Sequence, residues 1–128
     1  MRVKEIMKKV VVMDSSSTVK DAVQTIVKQG IGSVVVLDKS KKLVGIVTER
    51  DILKHYSNSG LPSVAISKIM SKSVKTIDSG EDIDDAALIM CSNKIKRLPV
   101  VSKGRLVGII TATDLIAAAD EIDNPFFF

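Results

Sequence analysis

Leu43 to Asp51 reads LVGIVTERD, and Leu106 to Asp114 reads LVGIITATD, at a constant offset of 63 residues. A repeat of that period turns a 128-residue chain into two copies of one unit. A unit of about 60 residues is marginal alone, so the copies are expected to share a core. In both copies a strand-like apolar run ends in Thr, and Asp follows three residues later where a helical pattern begins. A strand-to-helix junction bearing a hydroxyl and a carboxylate at fixed spacing is a candidate ligand site. Two copies imply two sites related by a pseudo-twofold axis.

Each copy runs in the same order. A short amphipathic opener, Val3 to Met7 or Ile66 to Met70, precedes an apolar run, Val10 to Met13 or Val74 to Ile77. The period then becomes helical. Val19, Ala22, Val23, Ile26 and Val27 fall on one face, as do Ile83, Ala86, Ala87, Met90 and Cys91 in the second copy, and both faces are expected to be buried. Ser17 or Thr18 can cap the first helix and Asp82 the second, with Asp21 and Asp85 near the positive helix ends. Gly30 stops the first helix. Ser33 to Leu37 then turns into Leu43 to Thr48 as a β-hairpin, with a turn one residue shorter in the second copy, at Ser102 to Arg105. A helix closes each unit, from Glu49 to about Tyr56 and from Ala112 to about Ala119. The unit is β-α-β-β-α, its first two strands parallel across a right-handed crossover and its last two antiparallel. Ser57 to Ser63 is the expected linker.

Composition narrows the function. One histidine and one cysteine make neither a nucleophile–base dyad nor a metal cluster, so no enzyme, required cofactor or metal is expected. His55 is expected to cap a helix, and Cys91 to pack in the core. A lone cysteine excludes an internal disulfide and suits a reducing compartment, and no apolar run reaches membrane-spanning length. A cytoplasmic protein is the expectation. Net charge is +4: residues 1–64 hold eleven Lys/Arg against six Asp/Glu, and residues 65–128 eight against nine. The mild bias suits anionic ligands. There is no dense basic stripe and no set of stacking aromatics, which argues against nucleic acid.

These motifs resemble a tandem pair of cystathionine β-synthase (CBS) domains, a Bateman module. The pattern Gly–apolar–x–Thr/Ser–x–x–Asp stands at Gly45 to Asp51 and at Gly108 to Asp114, and Ile95-Lys96-Arg97-Leu98-Pro99-Val100 is similar to the family's second hallmark. The resemblance implies an α/β (α+β) fold of two pseudo-symmetric β-α-β-β-α repeats, residues 1–60 and 61–124, packed sheet to sheet as one module, followed by the apolar tail 125–128. It also implies a regulatory sensor that binds AMP, ADP or ATP, with S-adenosylmethionine as a further candidate, in clefts between the repeats. Such a module would modulate an unknown partner protein and pair through its helices as a homodimer.

By the same resemblance, Asp51 and Asp114 would hold riboses, Thr48 and Thr111 would face phosphates, and Ile46 and Ile109 would pack against adenine. Each cleft would pair the Asp of one repeat with the second-strand start of the other. Asp51 would then face Ile95, Lys96 and Arg97, with Pro99 beyond them, and Asp114 would face Ile31, Gly32 and Ser33. Arg50 and Thr113, inside the two motifs, complete the candidate set. On this partnering the Asp51 cleft would bind nucleotides more tightly, because it alone gains two cations.

A second reading stays open. Thr-x-x-Asp at a helix start also resembles a capping box, in which Thr caps and the acid reaches back; the short Asp in place of the usual Glu or Gln is its weakness. On that reading the chain is a ligand-free dimeric interaction scaffold, with a nucleic-acid-binding accessory protein as a third class. The three phenylalanines at 126–128 are expected to dock on an apolar surface.

Overall fold

The computed structural model describes residues 1–57 and 61–123. The Phe126–Phe128 tail and the middle of the Ser57–Ser63 linker lie outside the described residues. The elements run α1 (Val3–Ile6), β1 (Val12–Asp14), α2 (Val19–Gln29), β2 (Ser33–Leu37), β3 (Leu43–Thr48) and α3 (Glu49–Lys54). Two single 3-10 turns follow, Leu61–Ser63 and Ile66–Lys68. Then come β4 (Ile77–Asp78), α4 (Ile83–Asn93), β5 (Arg97–Ser102), β6 (Arg105–Thr111) and α5 (Ala112–Asp123). The strands form two three-stranded sheets, β1-β2-β3 and β4-β5-β6. In each, the first pair is parallel and the second antiparallel, which is the β-α-β-β-α unit expected, twice.

The chain folds as two compact units, one of residues Val11–Val74 and the other of Met1–Val10 with Lys75–Phe128. The openers are therefore exchanged relative to the repeat: each is built into the unit that carries the other repeat's sheet. Leu61, Ile66 and Ile69 are buried with Val19, Ala22 and Ile26 of α2, Val34 and Val36 of β2, and Val47 of β3. Val3 is buried with Ile77, Ala86, Met90, Leu98, Val100 and Ile110. The far end of the expected linker is thus core, since Leu61 sits under α2.

Only part of the expected helix face is covered. Val19, Ala22 and Ile26 are buried, but Val27 is 75% exposed. Its counterpart in the second repeat, Cys91, is also exposed, which corrects the expectation that it is core. The reason is geometric: a sheet of three strands covers a stripe one residue wide per turn, so residues at the i+4 and i+8 phases fall on an open flank. Gly30 ends α2 in the left-handed conformation, with φ of 64°, as its position implied. Lys94 does the same for α4, with φ of 54°.

Proline in the middle strand of a sheet would ordinarily cost a ladder bond. Pro99 avoids most of that cost. It lies opposite Ile109, and both backbone groups of Ile109 are taken by Lys8, at 2.8 and 3.0 Å. On its other side the price is visible by comparison. Val35, which holds the equivalent place in β2, donates its N–H to the Val11 carbonyl at 2.9 Å and pairs with Val12. Pro99 has no such proton, and β4 begins only at Ile77, opposite Val100.

Exposed carboxylates cap both crossover helices. Asp21 accepts from the Thr18 N–H at 3.0 Å and returns its own N–H to the Thr18 hydroxyl at 3.2 Å. Asp82 accepts from the Asp84 N–H at 2.8 Å and lies 3.5 Å from the N-terminal ammonium. Asp14 accepts from the N–H and hydroxyl of Ser16. These hydrogen bonds, led by those from Thr18, Asp84 and Ser16, hold all three carboxyls below the ordinary value of 3.8. A depressed folded-state pKa stabilises the fold above the unfolded value and ceases to do so as pH falls through the folded one. Stability measured by denaturant titration is therefore expected to be flat near neutrality and to decline once pH drops below about 4, where unfolded aspartates begin to protonate. Changing Asp21 to Asn should flatten that decline.

Candidate functional site

The two Thr-x-x-Asp motifs are built alike, atom for atom. Thr48 donates its N–H to Asp51 Oδ2 at 2.9 Å and its hydroxyl to the same oxygen at 3.1 Å, and Asp51 returns its N–H to Thr48 Oγ1 at 3.2 Å. In the second repeat the same three distances are 2.9, 3.0 and 3.3 Å, between Thr111 and Asp114. Both are reciprocal capping boxes, and both carboxylates are half-buried. Thr18 and Asp21 make a box of the same kind, outside the repeated motif. Capping is thus a general use of Thr-x-x-Asp in this chain.

The cap consumes one oxygen of each carboxylate. At Asp114 the second, Oδ1, has no protein donor among the described residues. At Asp51 it accepts from the Ser71 hydroxyl at 3.0 Å. A carboxylate with one oxygen anchored and the other turned outward is rigid, charged and able to accept from a hydroxyl pair.

Each unit sets its own strand start beside its own helix start. In the Val11–Val74 unit, Ser33 pairs with Thr48, and the Glu49 N–H donates to the Gly32 carbonyl at 3.1 Å. In the other unit, Arg97 pairs with Thr111, and the Ala112 N–H donates to the Lys96 carbonyl at 2.8 Å. The residues equivalent to uncharged Gly32 and Ser33 are therefore Lys96 and Arg97, next to the Thr111–Asp114 box. Neither cation forms an ion pair among the described residues, and Arg97 is half-buried. Asp51 and Arg97 belong to different units; the neighbours each unit gives its own carboxylate are those just named.

The remaining candidates divide by burial. Ile46 and Ser33 are buried, and Pro99 is fully so. Ile31 and Ile95 are half-buried and pack against the cores of their own units, and Ile109 is half-buried. Arg50, Lys96 and Thr113 are exposed. His55 caps α3, its Nδ1 2.9 Å from the Asp51 carbonyl oxygen and its N–H directed to the same atom.

The motif glycine has a structural cause. The exchanged opener crosses the edge of the motif strand, where Ile46 and Ser71 exchange hydrogen bonds of 3.0 and 2.9 Å, as Ile109 and Lys8 do in the other unit. A Cβ at Gly45 would lie 2.4 Å from Met70 Sδ and 3.0 Å from the Ser71 carbonyl oxygen. At Gly108 it would lie 2.7 Å from Met7 Sδ and 3.0 Å from the Lys8 carbonyl oxygen. Only glycine admits this crossing. Sequence reading missed Ser71 and Lys8 because each lies far along the chain from the motif strand it bridges. The paired Met-x ends of the two openers were the available signal.

Comparison with known proteins agrees with this geometry. The chain matches the CBS domain family over residues 3–58 and again over 66–121. It is 38% identical over 120 residues to an uncharacterised 17.7 kDa protein of Acidianus ambivalens, covering 93% of this chain and 73% of that one. Some other curated relatives are matched over less than half of their own length, whereas one uncharacterised protein of Methanocaldococcus jannaschii, 34% identical, is matched over 90% of its length. Among solved structures, a CBS-domain protein of Agrobacterium tumefaciens superposes with a TM-score of 0.85 at 30% identity, covering 92% of this chain and 98% of that one. The CBS domain pair of protein MJ0100, solved with 5′-methylthioadenosine and S-adenosyl-L-methionine, superposes with a TM-score of 0.86 at 30% identity, over 94% and 97% of the two chains. No helix among the described residues is long and apolar enough to cross a membrane. With two matched domains spanning nearly its whole length, the chain belongs to the CBS domain family as a tandem CBS pair.

Proposed function

We propose that this CBS pair is a regulatory module that binds adenosine-containing ligands, with Asp51 and Asp114 receiving the ribose hydroxyls. The observation that carries this reading is the outward Oδ1 of Asp114, an anchored acceptor that capping does not require. The ligands of the MJ0100 pair share one chemistry, an adenosine with its vicinal diol and no phosphate. A diol acceptor is therefore the common element, and phosphate recognition an addition to it. Lys96 and Arg97 suit that addition, because the guanidinium fork matches phosphate oxygens and both flank the Thr111 N-terminal end of α5. On this reading AMP, ADP and ATP are ligands alongside the sulfonium and thioether adenosines. The module acts by altering a partner protein, with coupling no larger than the ligand's differential affinity for two states, and it works as a homodimer.

The test is a thermal-shift and calorimetric panel of adenosine, 5′-methylthioadenosine, S-adenosylmethionine, AMP, ADP and ATP on the full chain. A ligand at a hundred times its Kd should stabilise by about 2.7 kcal/mol. A second reading, the ligand-free interaction scaffold, draws on the Thr18–Asp21 box, which caps with the same residues and serves no motif. The absence of any shift at millimolar concentration across the panel would favour it.

A further inference from the structure

The two carboxylates are not equivalent, and the difference lies in the opener. Ser71 and Lys8 occupy the same backbone place, each locked to the motif strand by a two-way pair of hydrogen bonds, with Ile46 and with Ile109. Ser71 donates its hydroxyl to Asp51 Oδ1 at 3.0 Å. Lys8 makes no hydrogen bond or ion pair to Asp114 among the described residues. Asp51 thus has both oxygens engaged by its own unit, Oδ2 by Thr48 and Oδ1 by Ser71, whereas Asp114 has one oxygen engaged.

We propose that Ser71 is a specificity-determining residue: its hydroxyl latches Asp51 Oδ1, so that the Asp51 half-site takes an adenosine diol in competition with it, while the Asp114 half-site takes the diol with no competing donor. This inference rests on the diol-binding reading above. A ligand hydroxyl that takes the place of Ser71 on Asp51 Oδ1 exchanges one donor for another, and one that shares the oxygen meets an acceptor already partly neutralised. At Asp114 a ligand hydroxyl adds a hydrogen bond. The net worth of one such bond corresponds to about a three- to tenfold difference in affinity. The latch lies at the junction between an exchanged opener and the motif strand, so Ser71 ties the state of the carboxylate to the position of that opener. Its hydroxyl is freed when a diol takes its place.

The experiment is calorimetric titration of the full chain with adenosine and with 2′-deoxyadenosine, for the wild type, Ser71→Ala, Lys8→Ser and Asp51→Asn. Wild type should show two classes of site. Ser71→Ala should tighten the weaker class three- to tenfold for adenosine and less for 2′-deoxyadenosine, which has one hydroxyl fewer. Lys8→Ser, which places a hydroxyl beside Asp114, should weaken the tighter class by a similar factor. Weaker adenosine binding in Ser71→Ala would overturn the latch, because the hydroxyl would then be a ligand contact. Unchanged binding in Ser71→Ala, with the weaker class abolished in Asp51→Asn, would overturn the latch and leave the diol reading intact. Failure of adenosine to bind the wild type would overturn both. A rise in the weaker class's ribo-over-deoxy preference in Ser71→Ala cannot come from a merely structural role of Ser71.

Discussion

Gly108→Ala is expected to destabilise the fold by about 1–3 kcal/mol, the usual cost of overpacking a filled site, and Gly45→Ala by a similar amount. The methyl group would sit against a methionine sulfur and a backbone carbonyl in each unit. Methionine is adaptable and can move aside. The carbonyl cannot, because it belongs to the two-way bridge that ties the opener to the motif strand. The same substitution at Gly80, where a Cβ would meet only the Asp78 side chain at 3.3 Å, should cost far less and serves as the control. Chemical denaturation measures all three. A double-mutant cycle of Gly108→Ala with Met7→Ala then separates the two contacts: the second change should recover the sulfur clash and leave the carbonyl clash. If Gly108→Ala proves as mild as Gly80→Ala, the close crossing is not what selects glycine in the motif.

Arg97→Ala is expected to weaken AMP and ATP binding by about ten- to a hundredfold while leaving 5′-methylthioadenosine unaffected. The first figure follows from one charge-assisted hydrogen bond of about 1.5–3 kcal/mol, at ~1.4 kcal/mol per decade. The contrast between ligands follows from chemistry, since the thioether adenosine carries no phosphate for a guanidinium to meet. Arg97 pairs across the strands with Thr111 and forms no ion pair among the described residues, so its removal opens no buried charge elsewhere. Arg97→Lys should recover only part of the loss, because an ammonium lacks the bidentate fork. Calorimetry at fixed ionic strength decides it. Equal weakening for all ligands would mean that Arg97 shapes the half-site and does not read phosphate.

The β2–β3 and β5–β6 hairpins, α2 and α4 were legible because apolar runs, helical periodicity and turn residues act locally: Ser33–Leu37 and Leu43–Thr48 fall where the two apolar runs and the Asp38–Lys42 turn place them. The exchange of openers was not legible. Val3 and Ile66 announce only that they are apolar, and nothing in a hydrophobic phase says which of two similar sheets an opener covers. The exposed flank of Val27 and Cys91 escaped for a related reason, since helical phase gives a face and the width of the sheet decides how much of it is covered. At the site, sequence chemistry could not separate cap from ligand contact, as both use Thr and Asp at one spacing. Atomic geometry shows the cap and is compatible with the proposed ligand contact: one oxygen of each carboxylate caps, while the other has no protein donor among the described residues at Asp114 and is held by Ser71 at Asp51.

The most direct measurement is the affinity of adenosine for the full chain carrying Asp51→Asn together with Asp114→Asn. Asparagine keeps an oxygen for the Thr N–H, so both caps and the fold survive, but the anionic diol acceptors are gone. Binding should fall at least tenfold, with Asp114→Asn alone removing the tighter class. Undiminished adenosine binding by the double variant would contradict the assignment of these carboxylates to the ribose.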